Sequence, residues 1–212
     1  EVAIKTLLPG ANPERFVTEA KITARLPHPN IPPVHALGTL DDGTPWLAMK
    51  LIRGRTLQDL LPSAPRGRGA GGEGKPDRSR LIQIFEQICQ AVGFAHNRGI
   101  IHRDLKPLNV MVGEFGEVQV MDWGLAKDVR GPSSIAHRGE QSHATDDGQR
   151  TTDAGEHTAA GAIMGTPGYM APEQARGDTV DTRADVFALG SVLATILTNM
   201  PAFVGTTARE TI

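Results

Sequence analysis

Apolar residues recur at helical spacing in three segments of the chain. The clearest runs from Arg78 to Asn97, where apolar residues return every three or four positions. A second helix is predicted from Pro13 to Leu26, because Asn12 can cap it and proline suits a first turn. A third is predicted from Val186 to Thr198, starting at Asp185. It is apolar nearly all round, which predicts a buried helix.

Short apolar runs separated by turn residues predict strands between these helices. The chain opens in such a run, from Val2 to Lys5. Two further runs, Val34 to Leu40 and Pro45 to Leu51, flank a turn at residues 41–43 and predict a hairpin. A second hairpin is predicted from Val110 to Met121.

Two stretches lack this patterning. Residues 62–77 are rich in Gly, Pro and Arg, and residues 128–162 are polar and show no periodicity. Neither has enough apolar side chains to build a core, so both are predicted to be flexible insertions. The glycines of the first stretch do not read as a phosphate-binding loop, because no strand leads in and no apolar helix follows at once.

The charge balance and the cysteine count argue against several classes of function. The 212 residues carry 22 basic and 24 acidic side chains, and this balance predicts neither nucleic-acid nor membrane binding. The single cysteine, Cys89, excludes an internal disulfide and favours a reducing, cytoplasmic setting. No signal peptide and no apolar run of membrane-spanning length is recognisable. Because the chain opens directly in a predicted strand and has no starting Met, we expect a fragment of a longer protein.

Residues able to do chemistry concentrate between the long helix and the second hairpin. The chain here runs from His102 to Asn109, and the hairpin that follows returns to Asp122, bringing it towards Asp104. Carboxylate and amide oxygens together suit a hard cation such as Mg²⁺. Lys106 adds a positive charge that can neutralise a transferring phosphoryl group.

These residues carry a resemblance to protein kinases. The octapeptide from His102 resembles the catalytic loop H-R-D-L-x-x-x-N, and Asp122-Trp123-Gly124 resembles the D-F-G triplet. Four further matches occur in the family's order: V-A-I-K at residues 2–5, F-x-x-E-A at 16–20, H-P-N-I at 28–31 and G-T-x-x-Y-x-A-P-E at 165–173. A single short motif is weak evidence, but this order and spacing favour the kinase family.

The resemblance implies an α+β, bilobal protein-kinase-like fold, truncated at both ends. One partial domain would span residues 1–212, with part of the N-lobe at 1–49, the hinge at 50–56 and part of the C-lobe at 57–212. The Gly-rich loop of the family has no counterpart here, so we expect the stretch alone to have little activity.

For the catalytic loop, the resemblance implies a separate role for each residue. Asp104 would accept the proton of the substrate hydroxyl, and Lys106 would steady the γ-phosphate. Asn109 and Asp122 would hold Mg²⁺, with Mn²⁺ as an alternative cation. Thr166 would hydrogen-bond Asp104 and Lys106. His102 would pack near Trp123, and Asp185 would brace the backbone of the loop.

For the nucleotide, the resemblance implies a second group of residues. Lys5 would bind the α- and β-phosphates of ATP while paired with Glu19; Glu14 is the less favoured partner. Adenine would be enclosed by apolar side chains and held by hinge backbone. The residues concerned are Ala3, Met111 and the gatekeeper Met49 for the enclosure, and Lys50 to Ile52 for the hinge.

The resemblance favours an ATP-dependent serine/threonine protein kinase of the bacterial, eukaryotic-type class. Lys106, two residues after Asp104, fits Ser/Thr rather than Tyr specificity. The implied partners are ATP and proteins carrying Ser or Thr, with self-association for trans-autophosphorylation. The rival interpretation is a pseudokinase that binds nucleotide or acts as a scaffold, which Trp123 in place of Phe would favour. A small-molecule phosphotransferase would not need the segment that ends at Glu173.

Regulation by phosphorylation is also expected. Arg103 would be a buried charge that needs an anion, which in the family is often a phosphate on the activation segment, here about residues 127–163. Candidate phosphorylation sites are Thr151, Thr152 and Thr158, of which Thr158 is preferred.

Overall fold

Antiparallel pairing organises the first part of the chain, and helices organise the rest. The computed structural model describes residues 1–61, 77–129 and 166–203. In chain order the strands and helices are β1 (Val2–Thr6), α1 (Pro13–Ala24), β2 (Val34–Thr39), β3 (Pro45–Lys50), β4 (Gly54–Thr56), α2 (Leu57–Leu60), α3 (Arg78–Asn97), β5 (Ile100–Ile101), β6 (Val110–Gly113), β7 (Val118–Val120), β8 (Lys127–Asp128), α4 (Pro172–Ala175) and α5 (Thr182–Thr198). Short 3₁₀ turns cover Pro107–Asn109 and Pro167–Tyr169.

The N-lobe part is a three-stranded antiparallel sheet in the order β1-β3-β2, with α1 against it. The side chain of Asn12 accepts the backbone N–H groups of Glu14 and Arg15, so α1 begins as predicted. A small core forms where Phe16 and Ala20 of α1 meet Leu47 of β3. This packing sets the position of α1 relative to β1.

The C-lobe part has one large apolar core around α3. The apolar stripe of this helix is buried together with the hairpin β6–β7 and one side of α5. Helix α3 has the bounds that its periodicity predicts, and Gly99 follows it with a φ of 74°, a left-handed conformation that suits glycine. Strand β5 leads from there into the catalytic loop.

Two expectations for α5 are wrong. The helix begins at Thr182 rather than at Asp185, because the carboxylate of Asp181 accepts the N–H of Arg183 and caps it. Burial on all sides is also wrong, since Val186 and Leu197 are exposed. Within the part of the chain that the structure describes, α5 packs mainly on α3 and on the 3₁₀ turn before α4, which cover only part of its surface.

The predicted hinge at residues 50–56 is partly regular. Lys50 is the last residue of β3, and β4 pairs antiparallel with β6, so only residues 51–53 are irregular. The predicted insertion at 62–77 falls almost wholly outside the described residues, although Asp77 caps α3. Most of the insertion at 128–162 also lies outside them, but Asp128 belongs to β8.

Candidate active site

Hydrogen bonds link the four predicted catalytic residues, and two of these bonds come from Lys106. Its Nζ donates to Oδ2 of Asp104 at 2.7 Å and to Oγ1 of Thr166 at 2.8 Å. The amide nitrogen of Asn109 donates to the backbone oxygen of Asp104 at 2.8 Å and to its Oδ2 at 3.0 Å. These bonds orient the Asp104 carboxylate and join the segment at Thr166 to the catalytic loop.

A buried carboxylate binds the backbone of the catalytic loop. Asp185, 1% exposed, accepts the backbone N–H groups of His102 and Arg103, both at 2.8 Å. Its Oδ2 also lies 2.7 Å from Nε2 of His96 on α3. Burial alone would raise the pKa of Asp185, but the bond from His96, the charge of His102 and the two backbone N–H groups lower it. The predicted brace is thus formed, and His96 is a further member of it.

The D-W-G triplet packs against the same loop. Trp123 is buried, its Nε1 donates to the backbone oxygen of Val120 at 3.1 Å, and its ring centroid lies 4.6 Å from that of His102. His102 therefore has the packing role expected of it. Asp122 is exposed and has a φ of 59°. Its neighbour Met121 donates its N–H to the backbone oxygen of Asn109 at 2.8 Å, which ties the two predicted metal ligands together through the backbone.

Asp122 and Asn109 form a donor set that fits Mg²⁺. A carboxylate and a carboxamide oxygen are hard ligands, and Mg²⁺ usually takes only one or two protein ligands and completes its shell with phosphate and water. Over the described ranges, no group of three or more His, Cys, Asp or Glu side chains is placed to hold a metal alone.

The predicted ion pair between β1 and α1 is present. Nζ of Lys5 lies 2.7 Å from Oε1 of Glu19, and the side chains are 45% and 12% exposed. Glu14 instead belongs to the first turn of α1. A Cβ added to Gly124 would lie 3.0 Å from Oε2 of Glu19 and 3.2 Å from Oδ1 of Asp122. The absent side chain at Gly124 thus leaves room for both carboxylates.

The residues predicted around adenine are spread over three strands. Ala3 and Met49 are direct partners in the β1–β3 pairing, and both are partly buried. Met111 is partly buried on β6, opposite Thr56. Lys50 is exposed at the end of β3, and Ile52 is partly buried just beyond it. Their contacts with a nucleotide remain predictions.

A basic pair lies beside the D-W-G triplet. Arg103 has a φ of 70°, and its buried Nε lacks a hydrogen-bond partner among the described residues. Burial lowers the pKa of Arg103, and the nearby charge of Arg15 lowers it further, against the opposing effect of Asp185. Arg15 also donates from Nε to the backbone oxygen of Gly124 at 3.1 Å. An anion would relieve the repulsion between the two guanidinium groups.

Thr151, Thr152 and Thr158 lie outside the described residues. Sequence reasoning missed Arg15, whose role comes from a contact with a distant part of the chain. It also missed Gln174, whose Nε2 donates to the backbone oxygen of Arg103 at 2.6 Å and anchors α4 to the catalytic loop. Among the helices described, none is both long and apolar enough to cross a membrane.

Comparison with known proteins agrees with this geometry. The protein kinase domain model matches residues 1–212. The chain is 36% identical to serine/threonine-protein kinase PknB of Mycobacterium leprae and 38% identical to PknB of Mycolicibacterium smegmatis, in each case over 90% of this chain and 26% of the relative. It is 34% identical to serine/threonine-protein kinase PknD of Protochlamydia amoebophila, over 87% of this chain and 18% of the relative.

The chain thus spans about a quarter or less of the length of these curated relatives. The match to the domain model runs from the first residue to the last, and its motifs lie where the catalytic loop, the D-W-G triplet and the Lys5–Glu19 pair are found in the structure. The chain belongs to the protein kinase family and has its bilobal α+β fold.

Proposed function

We propose that the protein containing this chain transfers the γ-phosphoryl group of ATP to Ser and Thr hydroxyls of proteins. The observation that carries the proposal is the hydrogen-bonded cluster of Asp104, Lys106, Asn109 and Thr166. The names of the similar proteins support Ser/Thr as the acceptor. The motif residues Lys5, Asp104 and Asp122 are all present, which supports an active kinase over a pseudokinase.

In the proposed reaction, Asp104 orients the substrate hydroxyl and takes its proton. The hydroxyl oxygen forms a bond to the γ-phosphorus as the bond from phosphorus to the β,γ-bridging oxygen breaks, and ADP leaves with that electron pair. Lys106 lies 2.7 Å from Asp104, so its charge falls next to the group in transfer. Thr166 holds Lys106 in this place.

The nucleotide would be held by residues of both lobes. Lys5, oriented by Glu19, would bind the α- and β-phosphates, and Ala3, Met49 and Met111 would enclose adenine beside the hinge at residues 50–52. Asn109 and Asp122 would hold Mg²⁺, or Mn²⁺ in its place. Such a cation supplies charge that stabilises the phosphate oxygens in the transition state.

Regulation is proposed to act through Arg103 and Arg15. A phosphate on the activation segment would accept from Nε of Arg103, which has no hydrogen-bond partner among the described residues, and would offset the repulsion between the two guanidinium groups. We further propose that the kinase domain works in the cytoplasm, where ATP is available and Cys89 stays reduced. Copies of the protein would phosphorylate one another in trans.

The test compares the full-length protein with Asp104→Asn and with Asp178→Asn, an exposed carboxylate outside the site. We expect Mg²⁺-dependent transfer from labelled ATP to Ser and Thr, both of the protein itself and of a generic substrate. Transfer should be lost in Asp104→Asn and kept in Asp178→Asn, with ATP still bound by all three. Bound ATP without transfer by the wild type would instead establish the pseudokinase interpretation.

Trans-autophosphorylation has its own test. The Asp104→Asn protein, distinguished by size, serves as the substrate of the wild type. Label on the inactive copy is expected if phosphorylation occurs between molecules. Label confined to the wild-type copy, at a rate independent of concentration, would contradict it.

A further inference from the structure

Helix α1 carries Glu19 and is attached to the C-lobe near both of its ends. Near its start, Arg15 donates to the backbone oxygen of Gly124. At its end, Nη1 of Arg25 lies 2.9 Å from Oδ2 of Asp128 in β8. The second contact is an ion pair between residues that the catalytic motifs do not include, and the reaction as proposed above does not use it.

Asp128 lies on a strand that is hydrogen-bonded to the segment leading into the catalytic loop. Strand β8 pairs antiparallel with β5, where Asp128 lies opposite Ile100. Next to this pair, Val129 donates its backbone N–H to the backbone oxygen of Gly99 at 2.7 Å. Strand β5 ends at Ile101, directly before His102. The carboxylate that receives Arg25 is therefore held by the backbone that enters the catalytic loop.

Arg25 lies at the C-terminal end of α1, where a positive charge is favourable. It is the C-cap residue of α1, and its backbone N–H bonds to the oxygens of Ile22 and Thr23. A cation at this end of a helix interacts favourably with the partial negative charge of the last carbonyl groups. The side chains of Arg25 and Asp128 are 43% and 24% exposed, so the pair is half-buried and its contribution is modest. A modest contribution suffices to bias a helix between two positions.

We propose that Arg25 and Asp128 are positioning residues for phosphoryl transfer. Their ion pair holds the C-terminal end of α1 against β8 and thereby keeps Glu19 within hydrogen-bond reach of Lys5. When the pair is lost, α1 turns more freely about its remaining attachments and Lys5 loses its orienting partner for part of the time. The inference rests on the proposed function, because Lys5 is taken to bind the phosphates of ATP.

The first test measures steady-state kinetics of the full-length protein with Arg25→Gln, Asp128→Asn, and both together. Each single change is expected to raise the KM for ATP roughly two- to fivefold, the range of a half-exposed ion pair. The KM for the protein substrate is expected to stay constant, since the pair acts through Glu19 on Lys5, which is proposed to bind ATP. The double variant is expected to match the single ones, because both changes remove one interaction.

Matched variants separate positioning from general stability. Arg25→Lys keeps the charge and is expected to restore most of the ATP affinity. Arg176→Gln breaks an exposed ion pair with Asp178 and is expected to leave both KM values unchanged. Thermal unfolding without nucleotide identifies any variant that has simply lost its fold. If Arg25→Gln is such a variant, the KM for ATP of Arg25→Lys is compared with that of the wild type to test the positioning role.

The outcomes distinguish the two proposals. Inactive Asp104→Asn together with a raised ATP KM in Arg25→Gln supports both. Inactive Asp104→Asn with an unchanged ATP KM in Arg25→Gln, or with additive effects in the double variant, overturns the positioning role alone. Full activity of Asp104→Asn overturns the proposed function on which that role rests.

Discussion

Among single residues, Lys106 shows most directly how the catalytic loop depends on its neighbours. Its amino group lies between a carboxylate and a hydroxyl, and the hydroxyl comes from Thr166, in a different segment. In the proposed reaction the ammonium group would need both partners to stay directed at the reacting phosphate, because a lysine side chain has many accessible rotamers. The hydroxyl of Thr166 is therefore expected to affect turnover more than folding.

Replacing Thr166 by Val keeps the shape of the side chain and removes the acceptor. We expect kcat to fall roughly 10- to 100-fold, the range for a hydrogen bond to a charged group. Thr166→Ser keeps the hydroxyl and should retain most of the activity. The measurement is kcat with saturating ATP and substrate. Equal losses in both variants would show that the methyl group, not the bond to Lys106, matters.

Asp185 gives a prediction on pH dependence at the same scale. The pKa of its carboxyl is lowered in the fold, and in the unfolded chain it is about 3.9. Since the unfolded state takes up a proton first, the stabilisation is complete above the unfolded value and is lost as pH falls through the folded value. Asp185→Asn should remove about 2–4 kcal/mol near neutral pH, because a buried site then holds mismatched donors.

The measurement is the free energy of unfolding in urea at several pH values. The difference between wild type and Asp185→Asn is expected to be constant from pH 7 to about pH 5 and to shrink below that. Asp178→Asn, at an exposed site, is the control and should change stability by less than about 0.5 kcal/mol. A difference that grew as the pH fell below about 5 would contradict the assigned sign.

At the scale of elements, α5 shows what a cap contributes. The side chain of Asp181 pairs with the guanidinium group of Arg183 and also accepts its backbone N–H at 2.8 Å, and these contacts lower the pKa of Asp181. The side chain of Arg183 is 87% exposed, so the ion pair adds little. Asp181→Ala is expected to lower the melting temperature, while Asp181→Ser keeps a capping oxygen and should lower it much less. Thermal unfolding of the two variants decides between cap and ion pair.

Elements with local signals were predictable from the sequence, and contacts between distant elements were not. The bounds of α3 follow from apolar spacing, and the start of α1 follows from Asn12. The start of α5 was misjudged although its signal, an aspartate before the first turn, is also local. By contrast, the pairs formed by Arg15 with Gly124 and by Arg25 with Asp128 arise from lobe packing and leave no periodic trace.

The residues of the candidate site also fall into two groups, those readable from local motifs and those that were not. Asp104, Lys106, Asn109 and Asp122 lie in motifs whose chemistry can be read directly, and the structure brings the first three together by hydrogen bonds. The buried brace could be anticipated only through the family resemblance. Its third donor, His96, could not, because an intermediate position on an amphipathic helix looks the same whether a histidine packs or bonds.

At the scale of the whole molecule, a short turn after α1 joins the two lobes. Asn30, buried in this turn, donates from Nδ2 to Oε1 of Gln87 in α3 and to the backbone oxygen of Val118 in β7, both at 2.9 Å. Its own backbone oxygen accepts the N–H of Val120 at 2.8 Å. Nearby, Gln119 donates to the backbone oxygen of Pro29 at 2.7 Å. The helix that carries Glu19 is thus attached to the C-lobe core just beyond its end.

This attachment predicts that the two lobes lose stability separately once it is weakened. Asn30→Ala removes both side-chain bonds and leaves the buried oxygen of Val118 unpaired, a cost of about 2–4 kcal/mol. Gln87→Ala removes only one of the bonds and should cost less. Hydrogen exchange of the full-length protein is the measurement. In Asn30→Ala, amides of α1 and β3 are expected to exchange faster while those of α3 stay protected, because the larger core of α3 does not depend on this turn. Equal acceleration in α3 would mean that the lobes unfold as one unit and that the turn stabilises the whole domain.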